Sequence, residues 1–317
     1  MSGIVCIGEL LIDFVSQNTG NSIADTNTFI KKAGGAPANV AACISKLGGK
    51  SLFIGKVGKD PFGDFLSNTL KSCRVNIDGL IQDSYQATTL AFVSLMKNGE
   101  RDFIFSRGAD ETLKWDEIDL NTLLTNPVFH FGSATALLGG DLFVTYSKLF
   151  TLAKEYNKII SFDPNFRSDL WKNNISSFIK RSESFIQYSD FVKVSEEELF
   201  ILTKESSIEK GCEKMHNLGT PIVFVTLGSK GTFLSTPNKN KMVPSIEVTA
   251  IDSTGAGDAF IGAILYQLAE SKDLQSLLKS FHDLENLVSF ANKIGALTCT
   301  KFGAIEALPE KDDLSTI

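Results

Sequence analysis

The chain contains 317 residues, 43% of them hydrophobic and 21% charged, and this composition is typical of a globular protein rather than a disordered or fibrous one. Its formal net charge of -6 disfavours nucleic acid as a partner on electrostatic grounds. The five cysteines are scattered and form no C-x-x-C pair, so we expect reduced, mostly buried thiols rather than disulfides or a zinc site.

The N-terminal segment argues against secretion. Glu9 and Asp13 interrupt its apolar stretch, and no basic region precedes that stretch, so it is a poor signal peptide. No uninterrupted apolar run approaches the roughly 18 residues that are needed to span a bilayer. We therefore predict a cytoplasmic protein with small-molecule ligands and no membrane partner.

The first motif in chain order is Gly34-Gly35-Ala36-Pro37-Ala38-Asn39, which precedes a predicted helix. A glycine pair often does no more than separate two elements. In a binding site, however, Gly34 and Gly35 would let the backbone approach a ligand, and Asn39 would hydrogen-bond to it. Asp13, which we place at the end of an early strand, is either an acceptor for ligand hydroxyls or a solvated loop acid.

Two segments depart from the alternation of strands and helices found later in the chain. They are Ala24 to Lys32 and Thr88 to Ser106, and in the second Lys97-Asn98-Gly99-Glu100 joins two alternating runs. Asn-Gly is typical of a type I′ hairpin turn, because both residues tolerate positive φ. We predict a small sheet that forms a lid. The predicted organisation is a single domain, residues 1–317, with lid strands inserted at about residues 14–33 and 88–106.

From Asn126 onward, short apolar runs alternate with longer amphipathic segments. This rhythm indicates βαβ units and hence an α/β fold, with a mainly parallel sheet and helices on both of its faces. The predicted strands are Val128 to Gly132, Ile159 to Asp163, Phe191 to Val194 and Ile222 to Leu227.

Polar motifs follow two of these strands, at the sheet edge where open α/β proteins bind ligands. Asp163-Pro164-Asn165-Phe166-Arg167 follows the first, and its arginine suits oxyanions. Ser195-Glu196-Glu197-Glu198 follows the second. This S-x-x-E pattern is typical of a capping box, in which Ser195 and Glu198 satisfy helix N-terminal donors. A capping role and a ligand-binding role are compatible.

The most informative stretch is Asp252-Ser253-Thr254-Gly255-Ala256-Gly257-Asp258, a small-residue loop that leads into an apolar helix. Gly255, Ala256 and Gly257 would present backbone N–H groups at a helix N-terminus, where anions such as phosphate bind. Asp258 either interacts with the helix dipole or accepts a hydroxyl proton during phosphoryl transfer. The chain lacks the P-loop, the protein-kinase motifs and the G-x-G-x-x-G spacing of dinucleotide folds.

In their order and spacing these motifs, together with Thr226-Leu227-Gly228-Ser229-Lys230-Gly231, resemble the PfkB family of carbohydrate kinases over essentially the whole chain. The resemblance implies a Rossmann-like, ribokinase-like main sheet with a small β-sheet lid. It further implies ATP and Mg²⁺ as cofactors, and it leaves K⁺ dependence and a homodimer through the lid as open candidates.

The resemblance also implies a role for each matching position. The implied catalytic residues are Asp258 as base, Gly255, Ala256 and Gly257 as anion hole, and Arg167. The implied sugar-binding residues are Asp13, Gly34, Gly35, Asn39, Arg107, Asn165 and Asp258. The implied nucleotide-binding residues are Lys193, Thr226, Gly228, Gly231, Gly255, Gly257 and Asn292. Glu198 would organise magnesium through water, although Ser195 replaces the family's usual Asn, and Asp252 and Thr254 form a candidate monovalent-cation site.

Substrate choice rests on the predicted lid. Leu90 to Leu95 and Arg107-Gly108-Ala109-Asp110 resemble the corresponding region of fructokinases, although fructokinases usually carry extra residues between that Arg and Ala-Asp. This resemblance favours transfer of the ATP γ-phosphoryl group to fructose, giving fructose 6-phosphate. The alternatives are a 2-keto-3-deoxygluconate kinase, a ribokinase, and a non-catalytic sugar or nucleotide sensor on the same fold.

Overall fold

Strands and helices alternate along most of the chain in the computed structural model, which describes residues 3–17, 20–95, 101–172 and 174–316. The strands are β1 (Gly3–Ile7), β2 (Leu11–Ser16), β3 (Phe29–Gly34), β4 (Lys50–Gly58), β5 (Asn76–Asp83), β6 (Leu90–Leu95), β7 (Arg101–Ser106), β8 (Val128–Phe131), β9 (Ile159–Phe162), β10 (Phe191–Ser195), β11 (Val223–Thr226), β12 (Thr232–Thr236) and β13 (Lys239–Val243). The helices are α1 (Ala36–Lys46), α2 (Pro61–Ser72), α3 (Leu120–Leu124), α4 (Gly140–Glu155), α5 (Ser168–Trp171), α6 (Ile175–Tyr188), α7 (Glu196–Thr203), α8 (Ile208–Leu218), α9 (Ala256–Glu270), α10 (Leu274–Lys279) and α11 (Phe281–Thr298).

The larger sheet has the strand order β13-β12-β11-β10-β9-β8-β1-β4-β5. Its strands are parallel from β11 to β5, and β12 and β13 add an antiparallel edge. Successive side chains of β1 enter opposite layers: Ile4 and Cys6 pack with α1, α9 and α11, whereas Val5 and Ile7 pack with α4 and α6. The two-residue period of a strand thus feeds a hydrophobic core on each face. The predicted α/β architecture is confirmed.

The smaller sheet has the order β3-β2-β6-β7, with β2 parallel to β6 and the other pairs antiparallel. Phe14 stacks on Phe92 of the same sheet at 4.9 Å and contacts the main body through Phe62 of α2, whose ring it meets edge-on at 5.7 Å. The separate small sheet expected of the lid is therefore present.

Two details of the lid differ from the prediction. Asp13 lies inside β2 rather than at the end of an early strand, because Gly8 adopts a φ of 145° and breaks the apolar N-terminal stretch into β1 and β2. The segment from Ala24 becomes a strand only at Phe29. The predicted Asn98-Gly99 turn lies outside the described residues.

Local sequence signals set several helix ends. Asp60 caps α2 by accepting hydrogen bonds from the Phe62 and Gly63 N–H groups at 3.0 and 2.8 Å, and Gly219 ends α8. The Asp60 carboxylate satisfies N–H groups at the start of α2, and the Gly219 N–H satisfies carbonyl groups, including that of His216, at the end of α8. None of the helices in the described ranges is long and apolar enough to cross a bilayer. The cysteines are free thiols, and all except the half-buried Cys299 are buried.

Candidate active site

The polar motifs meet at the carboxyl edge of the parallel strands. Asp163 follows β9, Ser195 ends β10, and the N-terminus of α9 carries Asp258 to the same region. A hydrogen bond from Asn39 of α1 reaches the Asp258 carboxylate across 219 positions of sequence. The glycine-rich turn before α1 therefore lies beside the small-residue loop before α9.

Asp258 is a buried carboxylate, with 7% of its surface exposed. Asn39 Nδ2 donates to Asp258 Oδ2 at 2.8 Å. Burial raises the pKa of Asp258 to about 6, while the Asn39 hydrogen bond and the charges of Arg167 and Lys193 oppose that rise. Because the pKa lies near neutrality, this carboxylate is ionised at pH 7 and can still accept a proton effectively.

The other amide atom of Asn39 is suited to a ligand. Asn39 Oδ1 is buried and has no hydrogen-bond partner within the described part of the chain. A buried polar atom without a partner is costly, so it usually marks a position that water or a ligand completes. The predicted sugar-binding role of Asn39 fits this geometry.

Glycine conformation shapes the start of α9. Gly255 occupies the N-cap with a φ of 77°, and a Cβ there would lie 2.8 Å from the Ala304 Cβ. No side chain caps the helix, which leaves the helix N-terminus open to an anion. One predicted donor is already engaged, since the Ala256 N–H points to the Ser253 carbonyl at 3.2 Å. Gly257 is the better-placed member of the predicted anion hole.

A buried cation lies beside that helix start. A Cβ on Gly257 would stand 3.1 Å from Lys193 Nζ, and Lys193 Nζ pairs with Asp163 Oδ2 at 2.9 Å. Burial alone would lower the pKa of Lys193, but Asp163, Glu198 and Asp258 raise it. The ammonium therefore stays charged at the position where a phosphate would meet the helix N-terminus.

Glu198 completes a capping box with Ser195. The Glu198 N–H donates to Ser195 Oγ at 3.1 Å, and the Ser195 N–H donates to Glu198 Oε2 at 2.7 Å. Oε1 accepts the Phe166 N–H at 2.7 Å. The carboxylate thus joins the two strand-end motifs. Within the described ranges, no group of three or more His, Cys, Asp or Glu residues could hold a metal ion.

Asp13 projects toward the glycine pair. A Cβ at Gly34 would overlap the Asp13 carboxylate, and one at Gly35, where φ is 112°, would overlap the Glu9 carbonyl oxygen. Burial raises the pKa of Asp13 to about 6; the Arg167 charge opposes the rise and the Glu9 charge adds to it. Because Arg167 lowers the pKa of both Asp13 and Asp258, its guanidinium acts electrostatically on both acids.

Asn165 and Arg107 are held by the protein itself. Asn165, at a φ of 47°, donates from Nδ2 to the Gly132 carbonyl at 3.0 Å. Arg107 Nε pairs with Asp110 at 3.3 Å, and its Nη2 donates to the carbonyls of Thr135 and Gly139 at 3.1 and 3.3 Å. The sugar contact expected of Arg107 stays a prediction, and these bonds would limit how far its guanidinium could move.

The predicted nucleotide-binding residues differ in whether open space lies beside them or other residues of the protein occupy that space. Gly228 has a φ of 59° and open space around its Cα, whereas Gly231 packs against the Val243 carbonyl. The Asn292 side chain accepts from Thr232 Oγ1 at 2.7 Å and donates to the Val243 carbonyl at 2.9 Å. Asn292 therefore supports the β12–β13 hairpin, and its role toward the nucleotide stays a prediction. Thr226 Oγ1 donates to the Val194 carbonyl at 3.3 Å.

The candidate cation site is a compact loop. Asp252 Oδ1 accepts both the N–H and the hydroxyl of Thr254, at 2.9 and 2.6 Å, and Asp252 Oδ2 accepts the Gly303 N–H at 2.9 Å. These bonds fix the loop that precedes Gly255. The cation itself stays a prediction.

Glu9 is the buried acid whose place in the site the sequence did not reveal. It interrupts the apolar N-terminal stretch of the sequence. In the structure it is 1% exposed and accepts hydrogen bonds from Ala36 and Ser133. An acid directly after a glycine, inside an apolar stretch, was the available signal.

The pfkB family of carbohydrate kinases matches residues 1–311. The chain belongs to this family. The carbohydrate kinase is 38% identical to the probable fructokinase-4 of Arabidopsis thaliana, over 99% of this chain and 96% of the relative. It superposes on the fructokinase of Xylella fastidiosa with bound ATP at a TM-score of 0.89, with 31% identity and 99% and 97% of the two chains covered.

A second solved structure carries both a sugar and a nucleotide. The kinase matches a fructokinase double mutant from Vibrio cholerae, with fructose, ADP and a potassium ion bound, at a TM-score of 0.85 and 33% identity, over 100% of this chain and 98% of the other. The sequence-based assignment to this kinase family and fold is thereby confirmed.

Proposed function

We propose that this kinase transfers the γ-phosphoryl group of ATP to the primary 6-hydroxyl of fructose. The observation that carries the proposal is the buried Asp258 carboxylate, which lies at the uncapped start of α9 near Lys193. A base beside a positively polarised anion site is what phosphoryl transfer to an alcohol requires. The names of its fructokinase relatives supply the sugar.

Each residue has a defined task in the proposed reaction. Asp13 and Asn39 bind sugar hydroxyls, and Asp258 accepts the proton from the attacking hydroxyl. Lys193 and the first-turn N–H groups of α9, including that of Gly257, stabilise the negative charge of the transferred phosphoryl group. Arg167 holds Asp13 and Asp258 in their ionised forms through its charge.

Magnesium fits the site as a water-bridged ion. The Glu198 carboxylate is fixed by two backbone N–H groups, and Mg²⁺ commonly keeps several waters and binds through one or two carboxylates and substrate phosphates. When bound, it would neutralise charge on the phosphates of ATP. Asp252 and Thr254 are the proposed K⁺-side residues, and their test is the dependence of kcat on KCl concentration.

The experiment for the substrate is ADP release with fructose, ribose and 2-keto-3-deoxygluconate in parallel. We expect the highest kcat/KM with fructose. A more than tenfold preference for either of the others would reject fructose and retain the kinase. The absence of ADP release with every sugar, in the presence of measurable sugar binding, would favour the sensor alternative.

Three further expectations belong to this proposal. The chain acts as one domain with the lid as an insertion, it works in the cytoplasm, and two copies associate through the lid. The last is supported by Val15 and Ile30, apolar residues that pair across β2 and β3 and are 41% and 42% exposed. Fractionation of cells tests the location, and sedimentation velocity tests the association.

A further inference from the structure

Glu9 lies in the connection between β1 and β2. It contacts two segments that carry or hold predicted sugar-binding residues, and they are the Gly34-Gly35 turn with the start of α1 and the Ser133–Thr135 turn. Oε1 accepts the N–H of Ala36, at the start of α1, at 3.0 Å and the N–H of Ala134 at 3.3 Å. Oε2 accepts from the Ser133 hydroxyl and lies 3.5 Å from the Thr135 hydroxyl, whose single proton goes to Asp110. A single buried carboxylate therefore joins the glycine pair before α1 to the turn that follows β8.

The contact with Ala36 replaces a missing helix cap. The N-cap position of α1 is Gly35, which has no side chain to accept an N–H. Helix N-terminal donors need a partner when they are buried, and Glu9 supplies one from 27 positions away. The orientation of the Gly34-Gly35 turn against the sugar thus depends on a residue of another element.

The second contact bears on Asn165. Ser133 and Thr135 directly follow Gly132, and the Gly132 carbonyl accepts Asn165 Nδ2 at 3.0 Å. The same turn is held from its other side, because Asp110 accepts the Thr135 hydroxyl at 2.8 Å and Arg107 donates to the Thr135 carbonyl at 3.1 Å. A shift of Glu9 would therefore move both the Gly34-Gly35 turn and the turn that holds Asn165 through the Gly132 carbonyl.

We propose that Glu9 is a positioning residue of the sugar site, which fixes the Gly34-Gly35 turn and the Ser133–Thr135 turn relative to each other. This proposal rests on the sugar-kinase function proposed above. Glu9 itself contacts no reacting atom, so its removal should alter sugar binding more than the chemical step.

The test compares wild type, E9Q and D190N. Asp190 is a matched control, because its carboxylate also accepts a backbone N–H, that of Ile160, at 2.7 Å, and burial raises its pKa. It directly precedes β10 and therefore lies at the amino ends of the parallel strands, away from the candidate site at their carboxyl ends. For each protein we would measure kcat, the KM for fructose and Tm.

With E9Q we expect a fructose KM about tenfold higher and a kcat within roughly threefold of wild type, because the amide keeps the shape of the carboxylate but cannot accept all of its hydrogen bonds. D190N should lower Tm without changing KM. If E9Q lowers Tm but leaves KM at its wild-type value, Glu9 is only structural and the proposal is overturned. A kcat that falls as much as KM rises would also overturn it.

E9D covers the case in which E9Q does not fold. It keeps the carboxyl group and shortens its reach, so KM should rise; an unchanged KM overturns the proposal. Wild type also separates this inference from the proposed substrate. If wild type prefers another sugar, fructose is rejected, and the same comparison is made with the preferred sugar.

Discussion

Asp258 serves as a base in a site that makes its ionisation costly. Burial raises its pKa, whereas Arg167 and Lys193 keep the ionised form accessible. Its burial and its raised pKa distinguish Asp258 from an acid that only interacts with a helix dipole, because such an acid is exposed and its pKa is lowered.

Asp258→Asn should keep the fold and the sugar affinity but lower kcat by about 10² to 10⁴, because the amide cannot accept the hydroxyl proton. Asp141 offers the matched control, since it lies in the first turn of α4 and is exposed. Asp141→Asn should leave kcat unchanged. Steady-state kinetics and Tm of both variants decide the matter, and a near-normal kcat for Asp258→Asn would remove Asp258 from the mechanism.

The pH dependence of kcat/KM should show an acidic limb with a midpoint near 6, because burial raises the pKa of Asp258 in the free enzyme to about 6. Below that pH the base is protonated, and kcat/KM falls at least tenfold per unit because the pKa of Asp13 is raised to about 6 as well. Stability follows the opposite sign: because the pKa of folded Asp258 is raised, its ionisation costs stability as the pH rises from about 4 through 6. A flat kcat/KM between pH 5 and 7 would contradict the assignment.

At the scale of elements, the Lys193–Asp163 ion pair joins β10 to the segment after β9. Both side chains are buried and lie 2.9 Å apart. Removing one partner of a buried pair leaves an unpaired charge, so Lys193→Met should lower the free energy of unfolding by about 3 to 5 kcal/mol. Urea denaturation measures the loss. The double variant with Asp163→Asn should recover part of it, and full additivity of the two changes would count against the pair.

The lid should become more ordered when sugar binds, because closure excludes water from the reacting groups. Hydrogen exchange in Phe29–Gly34 and Leu90–Leu95 should slow at saturating fructose. The β12–β13 hairpin, at the far edge of the main sheet, supplies the internal control and should not change. Equal slowing in both regions would indicate global stabilisation instead of closure.

Elements whose signals are local could be predicted from the sequence. The α/β alternation, the Asp60 cap of α2 and the Ser195–Glu198 capping box each depend on residues a few positions apart. The Asn39–Asp258 hydrogen bond and the Glu9 contacts could not be predicted, since they join parts of the chain that only the fold brings together. The prediction that Asp13 ends an early strand was wrong, because the φ angle of Gly8 decides where β1 ends and Asp13 lies inside β2.

At the scale of the whole molecule, the exposed apolar face of the lid predicts self-association. Val15→Glu in combination with Ile30→Glu places charges on that face and should shift a dimer to a monomer in sedimentation velocity. Val144→Glu is the control, because Val144 is similarly exposed but lies on α4. A wild-type protein that is already monomeric at micromolar concentration would reject association through the lid.

The position of β1 within the main sheet has a consequence for synthesis on the ribosome. β1 lies between β4 and β8, so the first strand to emerge has one edge paired early and the other left open until residue 128 is made. At 5 to 20 residues per second this interval lasts on the order of ten seconds. Nascent chains stalled between β5 and β8 should therefore be the aggregation-prone ones, since they present an apolar strand edge with no neighbour.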